Sequence, residues 1–322
     1  MVYILFVIGF VLLIKGADLL VDGASSLAKR YSLSELVIGL TIVSFGTSTP
    51  ELIVNIFASF NGSSDLAIGN IFGSNIANIL LILGCSALVR PLPIQRSIYF
   101  TEIPISLVAT FMIGFLANAN LFVHTSGLWI SRYDGILLLL FFGLFMTYIF
   151  VVARDKSNGF VTESVNDEIL IMSVKKSVIF MVLGIVALFF GGKWIVDGAV
   201  HMAREIGLSE SFIGLTVIAV GTSLPELVTS MVAAKKGRAD MAIGNVIGSN
   251  IFNIFWILGL SAVIKALPFD VINNMDILML IFASTLLIFA VINGKKPVVS
   301  RFEGIVFVTV YVGYLTYLVL RG

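Results

Sequence analysis

The sequence predicts an all-α membrane protein with ten transmembrane helices, arranged as two inverted five-helix repeats. Three observations lead to this fold class: the composition, the recurrence of long apolar stretches, and an internal duplication. Hydrophobic residues make up 58% of the chain, charged residues make up 12%, and the mean hydropathy is +1.06. Because soluble domains carry about 25% charged residues, the composition favours a protein embedded in a lipid bilayer.

Apolar stretches of about 18–25 residues, the length that crosses a hydrocarbon core as a helix, recur along the whole chain. Helices are expected because lipid cannot satisfy free backbone N–H and C=O groups. A β-barrel is excluded because the stretches lack the alternation of barrel strands. The predicted spans are 2–23, 35–59, 66–88, 98–118, 131–152, 176–198, 210–234, 241–263, 274–292 and 302–320.

The chain is internally duplicated. Segment 16–92 recurs as 191–267 at a constant offset of 175 residues, without a gap and with roughly half of the positions identical. The expected organisation is a first half at 1–152, a linker at 153–174 and a second half at 175–322. At about twenty residues, the polar linker is too short for a folded regulatory domain. The core repeats of the two halves are placed at 35–90 and 210–265.

The distribution of lysine and arginine between the loops predicts the orientation. Fourteen basic residues lie in loops that follow odd-numbered spans, and four lie in the even-numbered loops and the C-terminus. The odd-numbered loops are therefore expected in the cytoplasm, with both termini outside. Because each half has an odd number of spans, the second half enters the membrane from the opposite side, which makes the repeat inverted.

Other features narrow the class. The apolar start at 2–13 has no basic region before it and no cleavage site, so it is expected to be the first span and not a signal peptide. A single cysteine, Cys85, excludes an internal disulfide and a cysteine-based metal cluster. The net charge of +1 and the lack of a basic patch argue against nucleic-acid binding.

The first repeated motif is Gly-Thr-Ser-x-Pro-Glu, at 46–51 in span 2 and 221–226 in span 7. Proline removes a backbone donor and opposes the carbonyl four residues earlier, so both spans should break there. A kink alone would not require a glutamate in both copies, and a carboxylate inside a membrane marks a functional site by default. The polar face at spacing i, i+3, i+4, i+7 consists of Ser44, Thr47, Ser48 and Glu51 in span 2, and of Ala219, Thr222, Ser223 and Glu226 in span 7.

The second repeated motif is Gly-Asn-x-x-Gly-Ser-Asn-x-x-Asn, at 69–78 in span 3 and 244–253 in span 8. Its serine and last asparagine are four residues apart and therefore share a helix face. We predict that these residues bind a cation; they are Ser74, Asn78, Ser249 and Asn253.

The glycines of the second motif suggest local unwinding, so spans 3 and 8, like spans 2 and 7, are expected to be broken helices at the centre of the protein. In that case Asn75 and Asn250 would cap the broken ends. Elsewhere in the spans, Lys15 is expected to pair with Asp18 and Lys193 with Asp197, at helical spacing. Two further carboxylates are expected to start spans 3 and 8; they are Asp65 and Asp240.

Carboxylates, hydroxyls, amides and the carbonyls freed at a helix break are all oxygen donors. Hard cations such as Ca²⁺ take six to eight oxygen ligands. Soft metals are not favoured, because thiolate and histidine clusters are absent from the sequence. Two such sites in a duplicated membrane protein are typical of the ion-binding centre of a transporter.

The paired Gly-Thr-Ser-x-Pro-Glu and Gly-Ser-Asn-x-x-Asn segments resemble the two alpha repeats of the sodium/calcium exchanger family, in the prokaryotic form without a long regulatory loop. The resemblance implies four cation sites at the membrane centre. Glu51 and Glu226, with the carbonyls of Thr47 and Thr222, would form the Ca²⁺ site. One Na⁺ site would use Ser44, Thr47, Ser48, Ser74 and Glu226; its counterpart would use Ala219, Thr222, Ser223, Ser249 and Glu51; the middle site would add Asn78 and Asn253.

Two positions depart from the family pattern. Some archaeal and potassium-dependent relatives carry Asp where this chain has Asn253, which removes one potential charge and weakens the case for a proton or K⁺ at that position. Ser44 stands opposite Ala219, so the two flanking Na⁺ sites are expected to differ in affinity.

The expected function is electrogenic exchange of Na⁺ for Ca²⁺ across the cell membrane, at the family's three Na⁺ per Ca²⁺. A Ca²⁺/H⁺ antiporter and a K⁺-dependent exchanger remain alternatives, because two close glutamates can also carry protons. An intramembrane enzyme is disfavoured because its motifs are missing from the sequence, and a passive channel stays a minor alternative. The expected partners are Na⁺, Ca²⁺ and the lipid bilayer, with no resident cofactor and a monomeric protein, and spans 1 and 6 are the expected sliding gate.

Overall fold

The computed structural model describes residues 2–123, 127–154, 171–205, 219–292 and 297–321. Most of the predicted linker and the beginning of predicted span 7 lie outside these ranges. The helices are α1 (Val2–Tyr31), α2 (Glu35–Thr47), α3 (Thr49–Asn61), α4 (Ser64–Val89), α5 (Ile98–Asn118), α6 (Arg132–Arg154), α7 (Val174–Glu205), α8 (Ala219–Thr222), α9 (Leu224–Lys235), α10 (Ala239–Ile264), α11 (Val271–Ile292) and α12 (Arg301–Arg321).

Within the described ranges, eight helices are long and apolar enough to cross a membrane, and the bent pair α2–α3 makes a ninth. Helices α8 and α9 fall in predicted span 7, whose first part is not described. The structure confirms an all-helical membrane protein, while the count of ten spans stays a prediction.

The two longest helices, α1 and α7, pack against each other through glycine. A Cβ atom added to Gly16 would lie 2.9 Å from the carbonyl oxygen of Gly184, and one added to Gly9 would lie 2.9 Å from that of Gly191. Gly23 approaches the carbonyl of Ser177 in the same way, at 2.8 Å. Glycine every seven residues therefore lets the two backbones touch, as small residues do between membrane helices.

Helices α2 and α3 meet at Ser48 with a bend of 49°, which confirms the predicted break in span 2. Helices α8 and α9 also meet at a single intervening residue, Ser223. Gly62 and Gly237, with φ of 74° and 77°, turn the chain directly after α3 and α9. Glycine adopts this left-handed conformation without strain, so each half-helix leads straight into the helix of the second motif.

The prediction that spans 3 and 8 are broken is wrong. Helices α4 and α10 are each continuous over 26 residues. Each contains a π-helical stretch, at Asn78–Ile82 in α4 and at Phe252–Leu258 in α10. A π-helix shifts the hydrogen bond from i+4 to i+5 and is frequent at functional sites. The backbone is therefore rearranged inside the helix without ending it.

Two short antiparallel strand pairs, which the sequence did not predict, join the ends of the helices. Strand β1 (Leu92–Pro93) pairs with β4 (Val298–Val299), and β2 (Leu128–Ile130) pairs with β3 (Leu267–Phe269). Each pair takes one strand from each predicted half of the chain. The strands therefore tie the two halves together, with at least one residue of each strand, such as Leu92 and Val299, buried in the core.

The charged side chains of the first span are arranged differently from the prediction. Lys236, which follows α9, contacts Asp18 at 3.0 Å and Asp22 at 2.7 Å. Asp18 therefore pairs with a lysine distant in sequence, where helical spacing had suggested Lys15. Asp65 and Asp240 do lie in the first turns of α4 and α10, as predicted.

Candidate cation site

The site is built around two half-helix beginnings. Pro50 and Pro225 occupy the first turns of α3 and α9, where a missing backbone N–H costs little. Glu51 and Glu226 are the third residues of the same helices. The partial positive charge at the start of a helix favours an anionic side chain there. The proline and the glutamate therefore serve the same local structure: an open helix start that carries a carboxylate.

Both carboxylates are buried, each with 1% of its surface exposed. Ser223 donates a hydrogen bond to Oε1 of Glu51 at 3.3 Å, and Ser48 donates one to Oε1 of Glu226 at 2.9 Å. Ser48 lies three residues before Glu51, and Ser223 lies three residues before Glu226. Each helix break thus supports the carboxylate of the other, which brings the two acidic groups together at one place in the protein.

The two serines of the second motif form hydroxyl pairs with the two serines of the first. The hydroxyl of Ser48 lies 2.9 Å from that of Ser249, and the hydroxyl of Ser223 lies 3.2 Å from that of Ser74. All four serines are buried. Ser48 therefore lies with Glu226 and Ser223 with Glu51, as the resemblance grouped them, but Ser249 and Ser74 have exchanged places relative to that grouping. Each group combines residues from both halves of the chain.

The threonines of the first motif, Thr47 and Thr222, bond asparagines of the second motif. Thr47 donates to Oδ1 of Asn245 at 3.0 Å, and Thr222 donates to Oδ1 of Asn70 at 3.4 Å. Asn245 in turn donates to Ser230 at 2.9 Å. Each threonine hydroxyl is therefore in contact with an asparagine of the second motif.

The two remaining residues of the predicted polar faces are Ser44 and Ala219. Ser44 is buried, and its hydroxyl donates to the carbonyl of Thr41 at 3.2 Å, with Gly248 of α10 packed against it. Ala219 is the first described residue of α8, and its side chain lies outside the described part of the chain.

The amides of Asn78 and Asn253 are buried and half satisfied. Nδ2 of Asn78 donates to Oδ1 of Asn250 at 2.9 Å, and Nδ2 of Asn253 donates to Oδ1 of Asn75 at 2.8 Å. The expectation that Asn75 and Asn250 cap broken helix ends is wrong, because both lie inside continuous helices and bond each other's helix.

Four buried oxygens of the site have no hydrogen-bond partner among the described residues; they are Oε2 of Glu51, Oε2 of Glu226, Oδ1 of Asn78 and Oδ1 of Asn253. Leaving a buried acceptor unpaired costs about 1–3 kcal/mol, and more for a charged group. Oxygens kept free at such a cost suit a cation that is desolvated when it enters. Two carboxylates with two neutral amide oxygens form a donor set for a hard cation.

The contacts of Thr47, Ser48 and Asn78 recur at the offset of 175 residues, at Thr222, Ser223 and Asn253. The bond from Ser48 to Glu226 corresponds to the one from Ser223 to Glu51, and the bond from Asn78 to Asn250 corresponds to the one from Asn253 to Asn75. The bonds to Glu51 and between Ser223 and Ser74 are longer than their counterparts by 0.4 Å and 0.3 Å. The duplicated sequence therefore forms a duplicated set of contacts, slightly looser around Glu51.

The sequence profile described as "Sodium/calcium exchanger protein" matches residues 1–151 and 176–320, which is most of the chain. The chain belongs to the sodium/calcium exchanger family. This family consists of cation transporters and not of enzymes. The chain is 35% identical to the sodium/calcium exchanger MaX1 of Methanosarcina acetivorans, over 98% of both proteins. It is 41% identical to the inner membrane protein YrbG of Escherichia coli, over 81% of this chain and 79% of that protein.

Among solved structures, the sodium-calcium exchanger NCX_Mj soaked with Na⁺ and Ca²⁺ superimposes with a TM-score of 0.81 at 30% identity. The match covers 98% of this chain and 97% of that chain. The resemblance read from the two motifs is therefore confirmed, and it extends to the whole fold of this member of the exchanger family.

Several residues of the site were not singled out as site residues in the sequence. Asn70 and Asn245 lie within the second motif, and Asn55 and Ser230 lie one helical turn after the two glutamates. Asn70 donates to Oδ1 of Asn55 at 2.6 Å, and Asn245 donates to Ser230. The signal for Asn55 and Ser230 was their helical spacing from the glutamates, and the signal for Asn70 and Asn245 was their place in the second motif, at matching positions in both copies of the exchanger repeat.

Proposed function

We propose that the protein is an antiporter that exchanges Na⁺ for Ca²⁺ across the cell membrane by alternating access. The observation that carries the proposal is the set of four buried oxygens without hydrogen-bond partners among the described residues, two of them on carboxylates contributed by different halves of the chain. The family and the ion-exchanging relatives support the choice of Na⁺ and Ca²⁺ as the ions.

In the proposed site, Ca²⁺ is bound by Glu51 and Glu226 together with the backbone carbonyls of Thr47 and Thr222. Asn78 and Asn253 supply neutral oxygens between the two glutamates. Two of the three Na⁺ bind at sites that flank this centre, each at a serine pair that already contacts a carboxylate, and the third takes the place that Ca²⁺ leaves. The first Na⁺ site uses Ser44, Thr47, Ser48 and Glu226, and the second uses Ala219, Thr222, Ser223 and Glu51. Each site also takes one serine of the second motif, either Ser74 or Ser249.

The assignment of the two motif-two serines follows from the contacts. Ser48 bonds Ser249 and Glu226, while Ser223 bonds Ser74 and Glu51. The family resemblance instead grouped Ser74 with Glu226. The contacts favour Ser249 in the Na⁺ site of Glu226 and Ser74 in that of Glu51.

The charge of the centre favours exchange over uncoupled leak. Two carboxylates neutralise one Ca²⁺, whereas three Na⁺ leave the occupied centre with a net charge of +1. An empty centre keeps two unneutralised carboxylates in a buried place, and moving such charge past an apolar barrier is costly. We infer that only occupied forms switch between the two sides, and that exchange at three Na⁺ per Ca²⁺ moves net charge.

We further propose that ten spans form two inverted five-helix repeats, with both termini outside and the linker in the cytoplasm. The matched contacts at the offset of 175 residues support a pseudo-two-fold arrangement, and the uneven distribution of basic loop residues supports the orientation. Helices α1 and α7, held together by their glycines, form the gate that slides across the site.

The second candidate is a Ca²⁺/H⁺ antiporter, favoured only by the two buried carboxylates that have no cationic partner among the described residues. The hydroxyls beside both carboxylates favour Na⁺, because a proton needs no additional oxygen ligands. A K⁺-dependent mechanism is weakened by the neutral Asn253 in the middle of the site.

The test is uptake of ⁴⁵Ca²⁺ into proteoliposomes, driven separately by gradients of Na⁺, H⁺ and K⁺. A Na⁺ gradient alone should drive uptake, and Glu51→Gln and Glu226→Gln should each abolish it. The matched control is Glu102→Gln, because Glu102 is an equally buried carboxylate in α5 that bonds Tyr148 away from the site. Full transport by both site variants would disprove the site, and uptake driven only by protons would establish the second candidate.

A further inference from the structure

Four asparagines form a reciprocal network between α4 and α10. Nδ2 of Asn75 donates to the backbone carbonyl of Asn250 at 3.2 Å, and Nδ2 of Asn250 donates to the backbone carbonyl of Asn75 at 3.4 Å. Their side-chain oxygens accept from Asn253 and Asn78, at 2.8 Å and 2.9 Å. All four side chains are buried, with at most 1% of each residue exposed.

The network has only one polarity that satisfies its members. A backbone carbonyl is an acceptor only, so Asn250 must turn its NH₂ group toward the carbonyl of Asn75. The oxygen of Asn250 then faces Asn78, which must answer with its own NH₂ group. Turning the amide of Asn78 around would oppose two oxygens in a buried place. The same sequence of steps, starting at the carbonyl of Asn250, fixes the amide of Asn253.

Fixing the NH₂ group of each amide also fixes the direction of its oxygen. Oδ1 of Asn78 and Oδ1 of Asn253 are the amide oxygens that remain buried and unpartnered among the described residues. Asn78 lies one turn after Ser74 on the same face of α4, and Ser74 bonds Ser223, which bonds Glu51. The free oxygens therefore belong to the polar centre and not to a separate pocket.

We propose that Asn75 and Asn250 are positioning residues, which hold the amides of Asn253 and Asn78 with the oxygen toward the transported cation. This inference rests on the proposed function, since it requires a cation at the centre. A reversed amide would present an NH₂ group, whose partial positive charge repels a cation. The backbone carbonyls set the orientation of the amides, and because amides do not titrate, Asn78 and Asn253 need no change of protonation when ions exchange.

The test is a pair of double-mutant cycles on Ca²⁺ affinity, measured by isothermal titration of purified protein and by the half-saturating Ca²⁺ of Na⁺-driven flux. Asn250→Ala should weaken Ca²⁺ binding by about 10–100-fold, the usual effect of removing a residue that orients a metal ligand. In the Asn78→Ala background the same change should cost less than about 2-fold, because no amide remains to be oriented. Asn75→Ala should behave in the same way with Asn253→Ala.

The crossed pairs provide the control. Asn250→Ala combined with Asn253→Ala should multiply the two single effects, because Asn253 is oriented by Asn75. A general loosening of the α4–α10 contact would instead give the same coupling in matched and crossed pairs, and that result would overturn the proposal, as would unchanged affinity in Asn250→Ala. If Asn250→Ala does not fold, Asn250→Ser takes its place in the cycle. A wild-type protein that binds no Ca²⁺ would refute the proposed function itself.

Discussion

The contact between α1 and α7 leads to a prediction about the smallest substitution, Gly184→Ala. Gly184 lies in the middle of α7, where an added Cβ atom would lie 2.7 Å from the carbonyl oxygen of Gly16 and 2.8 Å from the backbone nitrogen of Leu20. Both neighbours are backbone atoms of α1, so no side chain can turn away to make room. The methyl group can be accommodated only if the two helices separate.

The size of the effect follows from these distances. Ordinary contact begins at 3.4 Å, so the carbonyl of Gly16 must retreat by about 0.7 Å. A gap of that size forfeits about a quarter to a half of each van der Waals contact along the seam. Overpacking of this kind costs about 1–3 kcal/mol. Against this stands the better helix propensity of alanine, about 0.8–1 kcal/mol.

A matched control separates the cost of overpacking from the gain in helix propensity. Gly143 lies inside α6, and no described atom lies within 4 Å of the Cβ atom it would gain. Gly143→Ala therefore keeps the gain in propensity and lacks the clash. We expect Gly184→Ala to be less stable than Gly143→Ala by about 1–3 kcal/mol, and Gly16→Ala to resemble Gly184→Ala.

The measurement is reversible unfolding of the purified protein in detergent, by denaturant or heat, with Na⁺-driven Ca²⁺ flux recorded for each variant. Equal stability of Gly184→Ala and Gly143→Ala would show that the helices are not in backbone contact along this seam. That outcome would also remove the basis for treating α1 and α7 as one moving unit.

Two other predictions concern charged and ionisable groups. Arg321 contacts both oxygens of the buried Asp276, at 3.0 Å and 3.2 Å, so Arg321→Gln should cost about 3 kcal/mol of unfolding free energy, since it leaves that carboxylate with Tyr314 alone. Lys236→Gln, at a more exposed pair, should cost less than about 1 kcal/mol; the reverse order in denaturant unfolding would contradict this. Asn253→Asp adds a titratable group to the site, so Ca²⁺ flux should depend more strongly on pH, and an unchanged pH profile would argue against a place for Asn253 in the centre.

The parts of the site that could be predicted are those that a single helix determines. Ser48 and Glu51 share a face because of their spacing, and the second copy of the motif repeats the pattern at Ser223 and Glu226. The hydrogen-bond partners that these residues find on other helices could not be predicted from the sequence spacing. That Ser48 bonds Glu226 and Ser249 depends on how two distant helices pack, and a sequence spacing contains no information about that distance.

The wrong predictions have physical reasons. Glycine and asparagine at 69–78 suggested an unwound helix. The structure instead has a π-helical stretch, which has no distinct sequence pattern and could not be predicted. Asp18 was assigned to Lys15 by local spacing, although Lys236 approaches it from 218 residues away. Strands of two or three residues, such as Leu128–Ile130, are too short to show an alternating pattern. For Asp18 and for the strands, a contact between segments distant in sequence decided between local options.

The gate proposed for α1 and α7 leads to a last prediction about the surface between that helix pair and the first motif. Each glutamate is held by a serine from the opposite helix break, so the two half-sites cannot separate without breaking the bonds from Ser48 and Ser223. The motif glycines Gly46 and Gly221, in contrast, face only side-chain atoms of α7, those of Ile185 and Val196.

In the proposed mechanism the binding centre is the fixed part, and the helix pair α1–α7, joined by its backbone seam, is the moving part. Replacing Ile185 by alanine should accordingly alter the rate of Na⁺-driven Ca²⁺ flux more than the affinity for Ca²⁺, because the side chain contacts the gate interface and none of the site oxygens. A change confined to affinity would place Ile185 in the binding centre and would contradict the division into fixed and moving parts.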